Sequence, residues 1–231
     1  MADSAKFDTE SKAMITLATG MTSAFVGDER SLVEPIVGAM KVSELKMSNQ
    51  NVLFILINDT FDPLTKTHLK LAKKDEDYSK ELEDYVGIPI SNIPDFGGCH
   101  KNYAHHCGTI IYDKLKELGI NPQPVTSHLA YMSSAYSRYI NITLRNYDTI
   151  KFSIRNQFDG YLIKNLIAPQ CPECKRLAIE VTAASGDEVE FYCDFCKTNI
   201  SGNPKDLQIK LVTGCGFIPS SLSLSYIMVP Q

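Results

Sequence analysis

The sequence predicts an α/β protein: a doubly wound, mainly parallel sheet carrying a small cysteine-bound β insertion. Three observations carry that prediction. Strand-like and helix-like patterns alternate through the first two thirds of the chain. Asn51-Val-Leu-Phe-Ile-Leu-Ile-Asn58 is near-continuously apolar, the mark of a strand covered on both faces, as in a parallel sheet. Cys171-Pro-Glu-Cys174 is followed after 18 residues by Cys193-Asp-Phe-Cys196, the spacing of two thiolate knuckles joined by a hairpin.

Each element follows in order. Ala13-Met-Ile-Thr-Leu-Ala-Thr19 is a short apolar run that predicts a buried strand ending at Gly20. Residues 29–45 place Leu32, Ile36, Val37, Met40 and Val42 on one side of an amphipathic helix, and Pro35 inside it predicts a late start or a kink. The strand 51–58 ends in Asp59-Thr-Phe-Asp62-Pro63. Residues 70–84 are charged and read as a solvated, partly helical segment, and residues 86–98, with Pro89 and Pro94, as an irregular loop. Cys99 to Leu118 predicts a helix stopped by Gly119. Gln123-Pro-Val-Thr126 predicts a third strand. A long helix over residues 132–156 carries Tyr139, Ile142, Ile150 and Ile154.

Between the knuckles, Leu177-Ala-Ile-Glu-Val-Thr182 and Glu188-Val-Glu-Phe-Tyr192 alternate as paired strands do, with Gly186-Asp187 at the turn. Four thiolates from Cys171, Cys174, Cys193 and Cys196 would close a tetrahedron around Zn2+ and leave no position for water, so the expected role is structural. Two disulfides, or four unrelated buried thiols, are the alternatives. The last residues, Ser221-Leu-Ser-Leu-Ser-Tyr226 and Ile227-Met-Val229, predict a strand given to this sheet or to a neighbour. The expected division is a sheet domain over 1–160, a ribbon insertion over 161–212 and a returning strand over 213–231.

A chain of 231 residues can bury one sizeable core. The net charge of −4 and pI near 5.7 argue against general nucleic-acid binding by phosphate neutralisation. With no 18-residue apolar run and a polar start, neither a membrane span nor a signal peptide is expected. Cys99, Cys107 and Cys215 are an odd remainder, which fits reduced thiols in a cytoplasmic, reducing compartment.

Several positions invite a chemical reading. Asp59 and Asp62 end a strand where doubly wound sheets place ligands. They could recognise an amine or a ribose, or cap a following helix with Pro63 in its first turn. His100, Tyr103 and His106 fall at i, i+3 and i+6 of the predicted helix, with His105 beside them. Packing against the sheet, a ligand contact and a metal site are the three readings. Cys99 as a nucleophile would need a base facing it, and adjacency to His100 in sequence does not supply one. Gly20-Met-Thr22-Ser23 reads as a binding loop or an ordinary turn.

The same residues resemble one family, the class I lysyl-tRNA synthetases of archaeal type, from about Gly20 to Leu211. Asp59-Thr-Phe-Asp62 is similar to the family's Asp-Asp-Tyr-Asp signature, with Thr60 in place of one Asp. Tyr85-Val-Gly-Ile-Pro-Ile-Ser-Asn-Ile-Pro-Asp95, followed by Gly98-Cys-His-Lys-Asn-Tyr-Ala-His-His106, resembles its Gly-x-Pro-x-Ser-x-x-Pro-Asp and Gly-Cys-His-x-x-Tyr-Ala-x-His run. Leu118-Gly-Ile120, Tyr131-Met-Ser-Ser-Ala-Tyr136 and Ile140 follow at the family's spacing. The resemblance implies a Rossmann-like, HUP-type half-domain of a class I synthetase with the zinc ribbon inserted where the family has one. It also implies a ligand cleft at Gly20, Thr22, Gly27, Asp59, Asp62, His100, Tyr103 and His106, in which Gly20 and Thr22 are a remnant of the amino-acid loop.

Two departures bear on activity. The family's His-Ile-Gly-His type motif has as its best register Phe25-Val26-Gly27-Asp28, and a gapless one gives Asp28-Glu29-Arg30-Ser31. Either way a carboxylate replaces a histidine. At ~4 Å from a phosphate charge it costs about 4 kcal/mol at an effective dielectric of ~20, roughly a thousandfold in affinity. The second departure is length: the family's lysine-bearing Lys-Met-Ser-Lys-Ser loop lies beyond the ribbon. Lys46-Met47-Ser48 only resembles it and precedes the second strand. The expectation is therefore a non-catalytic, synthetase-like pseudoenzyme with no catalytic residues and with ATP binding disfavoured. Its expected partners are proteins of a translation or larger assembly, or tRNA or ribosomal RNA, with no membrane. Lys164, Lys175, Arg176 and Lys197 form a basic strip that is either a phosphate contact or a solvated surface. The alternatives are a residual lysine-activating enzyme completed by a second polypeptide, and a structural subunit of a particle, including one encoded by a virus.

Overall fold

Parallel strands joined by helices form the first half of the molecule. The computed structural model describes residues 14–21, 30–72, 79–133, 135–157, 164–178, 180–212 and 225–228. Strand β1 (Met14–Met21) is followed by helix α1 (Arg30–Met47) and strand β2 (Asn51–Asn58), which runs parallel to β1 in register from Met14↔Asn51 to Met21↔Asn58. Helices α2 (Lys66–Ala72) and α3 (Ser79–Glu83) and a 3-10 turn (Ile90–Asn92) lead to α4 (Tyr103–Glu117) and then β3 (Gln123–Thr126), which is parallel to β2. Helices α5 (Ser127–Met132), α6 (Ser137–Arg145) and α7 (Tyr147–Gln157) close this half. Three parallel strands in the order β3-β2-β1 make it Rossmann-like, one half of a doubly wound sheet.

The second half is antiparallel. Strands β4 (Ile167–Pro169) and β8 (Ile209–Leu211) pair at the base of a ribbon. Strands β5 (Glu180–Ala184), β6 (Val189–Cys193) and β7 (Thr198–Gly202) form its three-stranded sheet, with a register shift between Val181 and Ala183. Strand β9 (Ser225–Met228) returns to the main sheet and pairs antiparallel with β1, Ile15 opposite Met228 and Ala18 opposite Ser225.

Packing explains these choices. Gly38 of α1 lies against Thr19 and Phe54, so close that a Cβ there would meet Thr19 Cγ2 at 2.8 Å, which lets the helix settle onto the sheet. Met21, Leu56, Ile111 and Leu115 form the core between the sheet, α1 and α4. Leu144, Tyr147, Ile167, Val189, Phe191 and Ile209 form another, so α6 and α7 share one core with the ribbon. Gly119, at φ +74°, ends α4 in the left-handed conformation that suits glycine.

Four expectations change. Helix α4 begins at Tyr103 and not at Cys99, because Asn102 takes an extended conformation and its side chain accepts the His105 N–H, a cap that fixes the first turn. The helix expected over 132–156 is two helices, α6 and α7, with α5 ending at Met132; α6 ends where the Asn146 side chain bonds the Ile142 carbonyl. Helix α1 runs from Arg30 through the buried Pro35 without a late start. In β2 only Leu56 and Asn58 are buried, since α1 and α4 both pack on the face that carries Leu56, and the Leu53, Ile55 and Ile57 positions are half-buried. Lys46 and Met47 close α1, and Ser48 follows directly, so this triplet is the end of a helix and not a catalytic loop.

Candidate functional site

The carboxyl ends of β1 and β2 carry an acidic edge. The Asp59 N–H donates to the Met21 carbonyl (2.9 Å), which stitches the turn after β2 to the end of β1. The Glu34 carboxylate, reaching from α1, accepts the Gly20 N–H at 3.2 Å. A Cβ at Gly20 would press on Asp59 Oδ2 at 3.1 Å, so the glycine makes room for the carboxyl. Asp62 pairs with Lys210 of β8 at 3.0 Å. Burial pushes the Asp59 carboxyl up to about 7; Asp62 and Glu34 add to the shift and the Lys210 ammonium opposes it. Asp59 therefore holds a proton at neutral pH more readily than any free carboxylate would.

The turn itself is clamped. Thr60 is buried, its hydroxyl 2.7 Å from His128 Nδ1, and the Phe61 N–H donates to the Ser127 hydroxyl at 3.1 Å. Ser91 and Ile90 donate backbone N–H groups to the Thr60 and Asp62 carbonyls. Tyr131 stacks on Tyr136 with ring centroids 4.4 Å apart, and Phe61 packs on Tyr131 at 5.0 Å. This is a rigid strand-end turn facing an aromatic wall.

A second cluster sits where the loop 93–102 meets α4. Asp95 Oδ2 accepts the His100 N–H at 2.6 Å, and Asp95 Oδ1 lies 3.4 Å from His106 Nδ1. Cys99 Sγ is 3.0 Å from His100 Nδ1 and 3.2 Å from His106 Nδ1. The Asp95 side chain is 2 % exposed, yet its Oδ1 has no hydrogen-bond partner. Burial works to raise the Asp95 carboxyl, but the His100 amide, the Cys99 thiol and His106 hold it below the usual carboxylate value. One ligand atom from each of Asp95, Cys99, His100 and His106 lies within 4.8 Å of the rest. A carboxylate, a thiol and two imidazoles are a donor set that could hold a zinc-like cation.

The expected i, i+3, i+6 row is not formed. His100 precedes α4, and Tyr103 is turned into the core with Leu64, Ile90, Ile93 and Cys107. Of the other expected cleft positions, Gly20, Asp59 and Asp62 come together on the acidic edge, while Thr22 and Gly27 lie outside the described residues. Glu34, Lys210 and His128 were not visible as site residues, because each reaches the edge from an element distant in sequence. Asp95 could have been found: an acid four residues before a Cys-His pair and eleven before His106 is ligand spacing.

The ribbon cysteines also converge. Cys171 Sγ and Cys196 Sγ are 3.9 Å apart, Cys174 and Cys193 3.6 Å, and all four ligand atoms lie within 4.8 Å of one another. Four bonds of about 2.3 Å in a tetrahedron need sulfurs roughly 3.8 Å apart, so the thiols fit a four-coordinate metal. None of the described cysteines is in a disulfide. Lys175 and Lys197, each at the end of a knuckle, take positive φ of 62° and 56°. Arg176 ties the ribbon to the first half: its Nε donates to the Val86 carbonyl at 2.8 Å, and its guanidinium lies 3.6 Å from the Phe195 ring centroid. Of the basic strip, Lys175 donates to the Pro172 carbonyl, so it is engaged within its own knuckle.

Between α5, α6 and the ribbon base lies an open cavity of about 670 Å³, walled by Phe61, His128, Tyr131, Asn141, Gln170 and Lys205 among others. Among the described residues, no helix is long and apolar enough to cross a membrane.

Comparison with known proteins gives one consistent result. A model of the tRNA synthetases class I (K) matches residues 3–212. A lysine–tRNA ligase of Methanocaldococcus jannaschii is 30 % identical over 148 residues, covering 62 % of this chain and 26 % of the relative. One from Methanosarcina barkeri is 30 % identical over 178 residues, covering 75 % and 31 %. One from Archaeoglobus fulgidus is 29 % identical over 143 residues, covering 61 % and 28 %. The chain thus spans between 26 % and 31 % of the length of these relatives.

Proposed function

The chain belongs to the class I (K) tRNA synthetases, and on that premise we propose that it works as a binding or assembly module of the tRNA sphere and not by itself as a ligase. One observation carries the reading: the segment that joins β1 to α1 reads Phe25-Val26-Gly27-Asp28, with no histidine to donate to a triphosphate and an acid in its place. The edge at the carboxyl ends of β1 and β2 bears Glu34 and Asp62, so a phosphate placed there would meet an electrostatic cost. The motif residues Asp59 and Asp62 do not decide the matter, since the resemblance carries them over from active enzymes. The ribbon thiols would hold zinc as a structural ion and keep the ribbon base against α6 and α7. The Asp95 set would hold a second ion that pins the loop 93–102 to α4.

ATP–pyrophosphate exchange with lysine tests the proposal. The chain alone is expected to give no exchange above background and no heat on titration with ATP; clear exchange overturns it. A second reading is favoured by the acidic edge and its stacked tyrosines, which suit a primary amine: the chain retains lysine activation but needs a second polypeptide. Exchange that appears only when the remaining length of a relative is added would establish that reading instead.

A further inference from the structure

The two donor sets differ in what can reach their sulfurs. In the ribbon, Cys171 and Cys193 are buried and Cys174 and Cys196 half-buried, and the Cys193 sulfur also accepts the Cys196 N–H at 3.5 Å. These knuckles belong to the same packed core as Val189 and Phe191. In the loop set the Asp95 side chain is buried and His100 and His106 are half-buried, whereas Cys99 is the one exposed cysteine among the described residues.

The way to Cys99 is open. Gly97 and Gly98 precede it, both exposed, and a Cβ built at Gly98 would meet no atom within 4 Å. Phe96, the large side chain before them, turns inward onto Tyr85 with ring centroids 5.8 Å apart. The Cys99 sulfur therefore sits at the rim of the set, with the His100 and His106 rings on one side and solvent on the other. Behind it the buried Asp95 Oδ1 has no hydrogen-bond partner, an orphan that a cation held by this set would satisfy. A thiol that coordinates a metal is deprotonated outright, and an accessible thiolate is what oxidants attack first.

We propose that Cys99 is a site of reversible oxidation by small hydroperoxides, and that its oxidation empties the Asp95 set while the ribbon keeps its ion. The thiolate attacks the terminal oxygen of the peroxide, so that an S–O bond forms and the O–O bond breaks. Sulfur gives up two electrons, Cys99 becomes a sulfenic acid, and the other oxygen takes a proton from solvent and leaves as water or an alcohol. A neutral sulfenic acid is a poor ligand, so three donors remain and the loop 93–102 comes free of α4. Cys107 is fully buried with Leu64, Ile90 and Tyr103, so the sulfenic acid meets no exposed second thiol among the described residues. Two equivalents of a small thiol reverse the step: Cys99 returns to a thiol, the two leave joined as a disulfide, and the oxygen leaves as water. The proposal rests on the reading that the Asp95 set holds an ion, and it adds the chemistry that releases it.

The test treats the zinc-loaded full chain with hydrogen peroxide. Zinc release is followed with a chromogenic chelator, and sulfenic acid is trapped with dimedone and located by mass spectrometry. Of two zinc equivalents, one should leave at least about tenfold faster than the other, with the label on Cys99. Without dimedone, a small thiol and added zinc should restore the lost equivalent. Cys99→Asp keeps a ligand of similar reach and removes the oxidisable sulfur; it should hold two equivalents and slow the first release about tenfold or more. Label that appears first on the ribbon cysteines, two equivalents that leave together, or a Cys99→Asp chain that releases zinc as fast as its parent overturns the proposal. Should Cys99→Asp fail to hold the second ion, the position of the label in the parent chain decides. A single equivalent in the untreated chain defeats the reading of the Asp95 set and this proposal with it, whereas two equivalents untouched by peroxide defeat this proposal alone.

Discussion

Asp59 shows how one residue links site and stability. Its carboxyl sits at about 7 in the folded protein against 3.8 for the free group, chiefly through burial. Between pH ~4 and ~7 the folded chain holds a proton that the unfolded chain has released, so stability falls as pH rises through that window and levels off above it. The ceiling on this effect is about 4 kcal/mol, from 1.36 kcal/mol per pH unit of difference. Asp59→Asn should remove the slope, and urea midpoints at pH 5 and pH 8 would show it; a slope equal to that of the parent chain would exclude Asp59 as its source. Lys210→Gln takes away the one cation opposing the shift and should move the descent to higher pH. Asp95 is the contrasting acid, because amide, thiol and imidazole partners keep it ionised despite near-complete burial.

At the level of elements, the ribbon is not an appendage. Its β4, β6 and β8 strands share a core with α6 and α7, and Arg176 and the Leu177 N–H fasten it to the loop at Val86 and Gly87. Two donor sets predict two zinc equivalents per chain by elemental analysis. Cys171→Ser should remove one and His106→Ala the other. The first loss should also raise amide exchange in α6 and α7, because their apolar stripes rest on the ribbon, while the second should raise it only in the loop 93–102 and the start of α4. Exchange in α6 and α7 unchanged by Cys171→Ser would show that the ribbon thiols do not support that core.

For the whole molecule, β9 pairs with β1 on the side away from β2, so residues 225–228 cover that edge of β1. Removing residues 222–231 should lower the thermal midpoint by several degrees and expose the β1 edge, read as concentration-dependent association. An unchanged midpoint with a smaller oligomer would mean that the strand serves a neighbour. The sequence by itself determined a first strand over 13–19, strands over 51–58 and 123–126, a helix over 29–45 and the pairing of two cysteine knuckles, each close to the bounds that folding sets. These depend on local period, on turn residues and on short spacing, all of which a linear chain displays. It also displayed the acids at 59 and 62 and the missing histidine at 25–28. Only the tertiary structure decided that Glu34 and Lys210 join Asp59, that Asp95 closes on Cys99, His100 and His106, and that Tyr103 turns away from them. The cap at Asn102 moved the start of α4, and with it every side-chain direction that helical counting had assumed. Charges brought together by folding shift one another through a desolvated space, and sequence distance carries no information about that proximity.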